Sequence, residues 1–198
     1  MNPYQRTPEW HEARAGKLTA SNFAAAMGID PYKSRAKLWR EIKGLEPPFE
    51  GNAATDWGTE NEPNAISAYE VDTGNIVHPV GFIVHPIHSW LGASPDGFIG
   101  SKGRLECKCP YNGSVHLLVP EHYAAQVQGG MEISSGDWCD FYSWTPGEQN
   151  LIHVERDPDY WSWAFPLLQE FWNYILADKP PPRLKAKPVY QPRKTYGL

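Results

Sequence analysis

Cysteine is scarce in this chain. Three cysteines in 198 residues leave at least one unpaired, so no even disulfide framework organises the fold. That usage suits a reducing compartment. Three is also one short of the usual cysteine set of an iron–sulfur cluster. The C-x₂₋₄-C spacing of structural zinc sites is missing. Cys107-x-Cys109, Cys139 and one of seven histidines are the whole supply for such a site. No apolar run approaches a membrane span. Met1-Asn2-Pro3-Tyr4-Gln5-Arg6 leads into polar sequence without the apolar core of a signal peptide. No internal repeat is present. Positive charge is in deficit: the formal net charge is −5, which argues against a protein that coats nucleic acid nonspecifically. The expectation is a soluble cytoplasmic protein with no membrane partner.

The length predicts one domain with a sizeable core. Nine Trp and ten Tyr make that core, or an interface, rich in aromatics. The cations are unevenly spread. Arg183, Lys185, Lys187, Arg193 and Lys194 follow one another with no acid among them, so the rest of the chain carries −10. Pro180, Pro181, Pro182, Pro188 and Pro192 forbid a helix there. A single domain over 1–178 and a basic, Pro-rich, solvated tail over 179–198 are expected.

The pattern predicts helices over 8–16 and 22–27, the second stopped by Gly28, and a short one around Leu38, Trp39 and Ile42. A Pro- and Gly-rich loop over 45–56 precedes a strong helix over 59–72, with Pro63 tolerated in its first turn. Short strands follow over 76–85, 89–93, 97–100 and 104–109, with a turn at 101–104. A helix over 120–133, a hairpin across Pro146-Gly147, and a last helix over 158–177 complete the order. Helices, then a sheet, a crossing helix, two strands and a helix make a mixed sheet flanked by helices, α/β to α+β in class.

Three fragments carry the chemistry: Ser94-Pro95-Asp96-Gly97, Leu105-Glu106-Cys107-Lys108-Cys109-Pro110 and Ala124-Ala125-Gln126-Val127-Gln128. Strand alternation points Glu106 and Lys108 one way and Cys107 and Cys109 the other. Folding the 98–109 hairpin brings Asp96 near Glu106. Two carboxylates and a lysine at one point call for a cation between them, and Mg²⁺ suits such an oxygen-rich site. The arrangement Pro95-Asp96, nine residues, Glu106-Cys107-Lys108 resembles the PD-(D/E)xK nucleases. Glu62 in Trp57-Gly58-Thr59-Glu60-Asn61-Glu62 reads alone as a carboxylate near a helix start. Arg14 and Ser21 in Arg14-Ala15-Gly16-Lys17-Leu18-Thr19-Ala20-Ser21 put a guanidinium and a hydroxyl near a helix N-terminus, a combination suited to phosphate.

Taken jointly and in this order, these segments and Tyr123-x-x-Gln126-x-Gln128 resemble the lambda-phage exonuclease family, the YqaJ-type viral recombinases, over about residues 6–175. The resemblance implies a restriction-endonuclease-like PD-(D/E)xK core. It implies 5′→3′ digestion of one strand of linear double-stranded DNA to 5′-mononucleotides, leaving 3′ overhangs for recombination. It also implies Mg²⁺, two ions with Mn²⁺ as a substitute, a ring-shaped homotrimer, and a single-strand annealing protein as partner. A phage or prophage gene product acting in a bacterial cytoplasm is the matching setting. By motif, Asp96 and Glu106 hold metal, joined by the Cys107 main-chain carbonyl and Glu62. Lys108 activates water and Gln126 supports it. Arg14, Ser21 and Ser94 grip the 5′-phosphate. Lys33 and Arg35 fall in a loop that would contact DNA. Tyr123 matches the pattern without an assigned role. Two rivals share parts of this reading: a PD-(D/E)xK endonuclease of restriction or repair type, and a zinc-stabilised DNA-binding module built on the cysteines.

Overall fold

The structure is a computed structural model that describes residues 4–47 and 50–192. Its helix ends follow local chemistry. Thr7 caps α1 (Pro8–Arg14), its hydroxyl accepting from the Trp10 N–H at 3.3 Å. α2 (Phe23–Met27) stops at Gly28, which adopts the left-handed region at φ 78°. Ser34 caps α3 (Arg35–Ile42).

Two sheets carry the rest. The smaller runs β1 (Leu18–Thr19), β4 (Leu91–Ala93) and β3 (Ile83–Val84), with β1 parallel and β3 antiparallel to β4. The larger runs β2 (Val77–His78), β5 (Gly97–Ile99), β6 (Gly103–Lys108), β7 (Trp138–Thr145) and β8 (Glu148–Glu155). Only β6 and β7 are parallel in it, and the crossover between them contains α5 (Glu121–Ser134). The mixed, helix-flanked sheet is therefore as the pattern predicts. The expected single strand over 76–85 divides instead between the two sheets, as β2 and β3.

Alternation along β6 fixes the layers. Leu105 and Cys107 pack with Ala65 and Tyr69 of α4 (Ala53–Thr73). Arg104 and Glu106, on the opposite face, bond to Ser134 and Gln126 of α5. The sheet thus lies between α4 and α5. Beyond α5, the largest apolar cluster joins α2, α3, β4 and α6 (Pro158–Leu176). Arg104 also closes α5: its guanidinium donates to the Ser134 carbonyl at 2.5 Å, complementing the helix C-terminus.

α4 departs from expectation. It starts at Ala53 because Asn52 and Thr55 form a capping box: Asn52 Oδ1 accepts the Thr55 N–H at 3.1 Å and the Thr55 hydroxyl accepts the Asn52 N–H at 2.7 Å. Pro63 then falls inside the helix and not in its first turn. An interior proline costs about 3 kcal/mol. Tertiary bonds hold the helix regardless: Tyr69 donates to Asp140 at 2.5 Å and Tyr142 to Asp72 at 2.6 Å.

The tail also departs. Residues 179–192 form no helix or strand, as the prolines require, yet they are docked. Pro181 is buried, and the Tyr190 hydroxyl donates to Asp157 at 2.6 Å. Arg193 and Lys194 lie outside the described residues.

Gly129 sets the approach of α5 to α2. A Cβ there would stand 2.4 Å from the buried Phe23 ring. Gly129→Ala gains about 1 kcal/mol in helix propensity. It loses roughly 1–3 kcal/mol to overpacking. Thermal unfolding should therefore show a lower Tm in the variant. An unchanged or higher Tm would mean that Phe23 yields freely.

Candidate functional site

The floor of the site is β6. Its Glu106 is 5 % exposed and faces α5. Glu106 Oε1 accepts from Lys108 Nζ at 2.6 Å and from Gln126 Nε2 at 2.5 Å. Lys108 Nζ also lies 3.4 Å from Gln126 Oε1. The same ammonium sits over the Tyr123 ring, 4.6 Å from its centroid. Tyr123 and Gln126 are three apart on α5 and so share its face. His122 and Phe141 flank the Tyr123 ring at 4.2 and 5.9 Å.

Asp96 arrives from the turn before β5. Its N–H donates to the Leu105 carbonyl at 3.0 Å, continuing the β5–β6 ladder. Its Oδ2 accepts the Cys107 N–H at 2.7 Å. The hairpin therefore brings Asp96 against Glu106 as the sequence predicts. The turn lies at 100–102, because β6 already starts at Gly103.

Electrostatics reflect this crowding. Burial raises the Asp96 carboxyl well above its ordinary value, and the charges of Glu106 and Glu62 push it further. Burial raises Glu106 too, with Lys108 offsetting part of the effect. Burial alone would lower Lys108, but Glu106 and Asp96 outweigh it and keep the ammonium charged. Burial pushes the Cys107 and Cys139 thiols far up and Cys109 to about 11, so all three are poor thiolate donors.

A second wall of the cleft is cationic. The Arg14 guanidinium lies 4.1 Å from the Trp10 ring centroid and 5.7 Å from that of Phe82. Its Nη1 is 3.5 Å from Ser94 Oγ, which also accepts from Trp10 Nε1 at 2.9 Å. Burial lowers the Arg14 pKa to about 10. Among the described residues no carboxylate forms an ion pair with it. Ser21 stands at the same wall, 3.0 Å from the Thr19 hydroxyl. Arg14, Ser21, Ser94, Glu62, Asp96, Glu106, Lys108 and Gln126 all line one cleft of about 210 Å³.

Two assignments need revision. Arg35, expected in a DNA-contacting loop, is buried instead, pairs with Glu170 and packs on Phe171. Lys33 is engaged within the protein by Glu41 at 2.7 Å and Asn22 at 3.2 Å. Glu62 lines the cleft, but its carboxylate is bound by Arg6 at 2.7 Å. Among the described residues no three His, Cys, Asp or Glu side chains converge as a metal-ligand group. This disfavours the zinc-module reading, as does the burial of Cys107 and Cys139 in different apolar clusters. What does converge on the cleft is the carboxylates of Asp96 and Glu106, with no hydrogen bond among the described residues to Asp96 Oδ1 or Glu106 Oε2. That donor set fits a hard divalent cation that keeps several waters.

Sequence reasoning overlooked Trp10, Phe82 and Arg6. Trp10 was findable: it precedes Arg14 by four residues on one helix, so the two side chains meet.

Comparison with known proteins agrees with this geometry. The model of the YqaJ-like viral recombinase domain matches residues 9–137. Protein R354 of Acanthamoeba polyphaga mimivirus is 28% identical over 155 residues, covering 69% of this chain and 28% of its own length. Protein YqaJ of Bacillus subtilis (strain 168) is 26% identical over 178 residues, covering 83% of this chain and 55% of its own length. The chain thus spans about half of these curated relatives or less. Among solved structures, the alkaline exonuclease LHK-Exo of Laribacter hongkongensis is 34% identical with a TM-score of 0.74, over 87% of this chain and 94% of that one. A second structure of it, in complex with dAMP, gives a TM-score of 0.76 at 33% identity, with the same coverage of both chains. The fold is the PD-(D/E)xK-like fold of these exonucleases. With its model matched over most of the chain, the protein belongs to the YqaJ-like viral recombinase domain family.

Proposed function

We propose that this protein is an Mg²⁺-dependent exonuclease that digests one strand of linear duplex DNA from its 5′ end. The observation that carries the reading is a single cleft holding both Asp96, Glu106 and Lys108 and, on another wall, an Arg14 that pairs with no carboxylate among the described residues. The relative LHK-Exo, crystallised with dAMP, supports a nucleotide product.

Asp96, Glu106 and the Cys107 carbonyl would hold the metal, with Glu62 adding negative charge beside them. When bound, the ion supplies Lewis acidity toward water and the leaving oxygen. Lys108 orients the attacking water and places positive charge beside the scissile phosphate. Gln126 fixes Lys108 and Glu106 relative to each other. Water oxygen bonds to phosphorus, the P–O3′ bond breaks, and O3′ leaves with a proton. The products are a 5′-mononucleotide and a strand with a new 5′-phosphate. Arg14, Ser21 and Ser94 would receive that phosphate and set the next step. A closed ring of three copies would keep the duplex enclosed between steps, and an annealing protein would take the exposed 3′ strand in the host cytoplasm.

An endonuclease needs the same acidic residues and lysine but no terminal phosphate pocket. Three substrates separate the two: 5′-phosphorylated linear duplex, 5′-hydroxyl linear duplex and closed circle, each with Mg²⁺ or EDTA. Digestion of linear duplex alone, abolished by EDTA, is expected. Cutting of the circle would favour the endonuclease. Arg14→Ala sharpens the test. A charge-assisted contact to phosphate contributes roughly 1.5–3 kcal/mol, so digestion of the phosphorylated end should slow about ten- to a hundredfold. Release of the first nucleotide from the 5′-hydroxyl end, the one cut made with no terminal phosphate, should be nearly unaffected, so the two ends are compared on that first cut. Equal slowing of both would remove Arg14 from the phosphate pocket.

A further inference from the structure

The docked tail carries a charge pattern that the site chemistry does not use. Its anchors are apolar or aromatic. Pro181 is buried. Leu184 sits on α2's terminal Gly28, where a Cβ would come within 2.6 Å of its Cδ1. The Tyr190 ring packs on Tyr160 at 4.9 Å and on Trp163 at 5.4 Å. Between these anchors the cations stay out: Arg183, Lys185 and Lys187 are all exposed.

The anchors place these cations near the cleft. Lys187 bonds Glu121, the first residue of α5, two before Tyr123 and five before Gln126. Leu184 rests on Gly28, which opens the loop to Ser34. Tyr32 of that loop meets His122 of α5 at 5.7 Å. The tail therefore crosses two segments beside the site. Over 179–192 it holds Lys179, Arg183, Lys185 and Lys187 with no acid, in a chain of net charge −5. A segment pinned by apolar contacts and by the Lys187–Glu121 ion pair, with Arg183 and Lys185 left in water, is arranged for an anionic partner, and it offsets the repulsion the acidic body exerts on DNA.

We propose that residues 183–187 form a fixed strap that contacts the phosphate backbone of the duplex outside the cleft. The proposal rests on the nuclease reading and adds a second, non-catalytic contact. Its test uses the full chain with the triple substitution Arg183→Ser, Lys185→Ser, Lys187→Ser. Binding to a labelled duplex is measured with Ca²⁺ in place of Mg²⁺, across about 50–200 mM KCl. Neutralised phosphates release counterions, so the triple variant should bind about tenfold more weakly and show a salt slope flatter by about 2. Turnover at saturating DNA and the Tm should stay at wild-type values. A second variant, Leu184→Ser with Tyr190→Ser, keeps every cation but frees the strap. It should also bind several-fold more weakly. Wild-type affinity and slope in the triple variant would overturn the contact. Wild-type affinity in the undocked variant would overturn the fixed strap. If the wild-type protein cuts linear duplex while the triple variant binds normally, the strap alone falls. If the wild-type protein neither binds nor cuts, the nuclease reading falls with it.

Discussion

Asp96→Asn should abolish Mg²⁺-dependent digestion and, in the metal-free protein at alkaline pH, raise the Tm. The two effects have one origin. Asn keeps an oxygen that can accept the Cys107 N–H, now at 2.7 Å from Asp96 Oδ2, so the turn before β5 is preserved. It removes a negative charge that burial, Glu106 and Glu62 all oppose. A carboxyl whose folded pKa is raised binds its proton more tightly in the folded state. Its contribution to stability is complete below the ordinary value of 3.8 and is lost as pH rises through the folded value. The asparagine variant suffers no such loss, so its Tm advantage should grow with pH and vanish in acid. Mg²⁺ should raise the Tm of the wild-type protein and leave the variant unmoved. Loss of activity of at least about 10³ is expected when a metal-holding carboxylate goes. Normal digestion by the variant would end the PD-(D/E)xK reading. A lower Tm at alkaline pH would make Asp96 a structural cap whose charge the fold needs.

Much of the site was legible because strand geometry has a short period. Glu106 and Lys108 are two apart, so any strand through them puts both on one face, and the hairpin needs only local turn signals to return Asp96. The parallel β6–β7 pairing was legible only coarsely. It joins residues 35 apart, and the helix pattern between them allows but does not select it. The internal pairing of Lys33 and Arg35 was not legible, because a cation in a loop looks the same whether it meets solvent or a distant acid. Arg35's partner is Glu170, supplied by the last helix. The start of α4 was hidden because Asn52 sits among loop-forming residues, and its cap is visible only with Thr55 three positions on. The docking of the tail rests on Leu184, Tyr190 and Pro181 finding α2 and α6, contacts that no local pattern encodes.

Lys108→Ala should keep the fold and the affinity for duplex while slowing hydrolysis by about 10² or more, the usual cost of removing a preorganised charge at a reacting centre. The fold should hold because Glu106 retains its bond from Gln126, and because Lys108 lies at the end of β6 with its side chain 21% exposed. Affinity should hold because the lysine already has partners: Glu106 at 2.6 Å and the Tyr123 ring at 4.6 Å. Its work is at the scissile phosphate, one contact among many along the duplex. Lys108→Arg should not restore the rate, since a planar fork cannot occupy a seat shaped by one carboxylate, one amide and one ring. Tyr123 tests how that seat is built. If the ring holds the ammonium through its π face, Tyr123→Phe retains the rate and Tyr123→Leu loses up to about tenfold, in line with a cation–π contact of roughly 0.5–1 kcal/mol or somewhat more when desolvated. Single-turnover digestion of a 5′-labelled duplex reads all four variants. Wild-type rates in Lys108→Ala would take Lys108 out of the chemistry and leave it as a counter-ion for Glu106. A loss in Tyr123→Phe equal to that in Tyr123→Leu would shift the role from the ring to the hydroxyl.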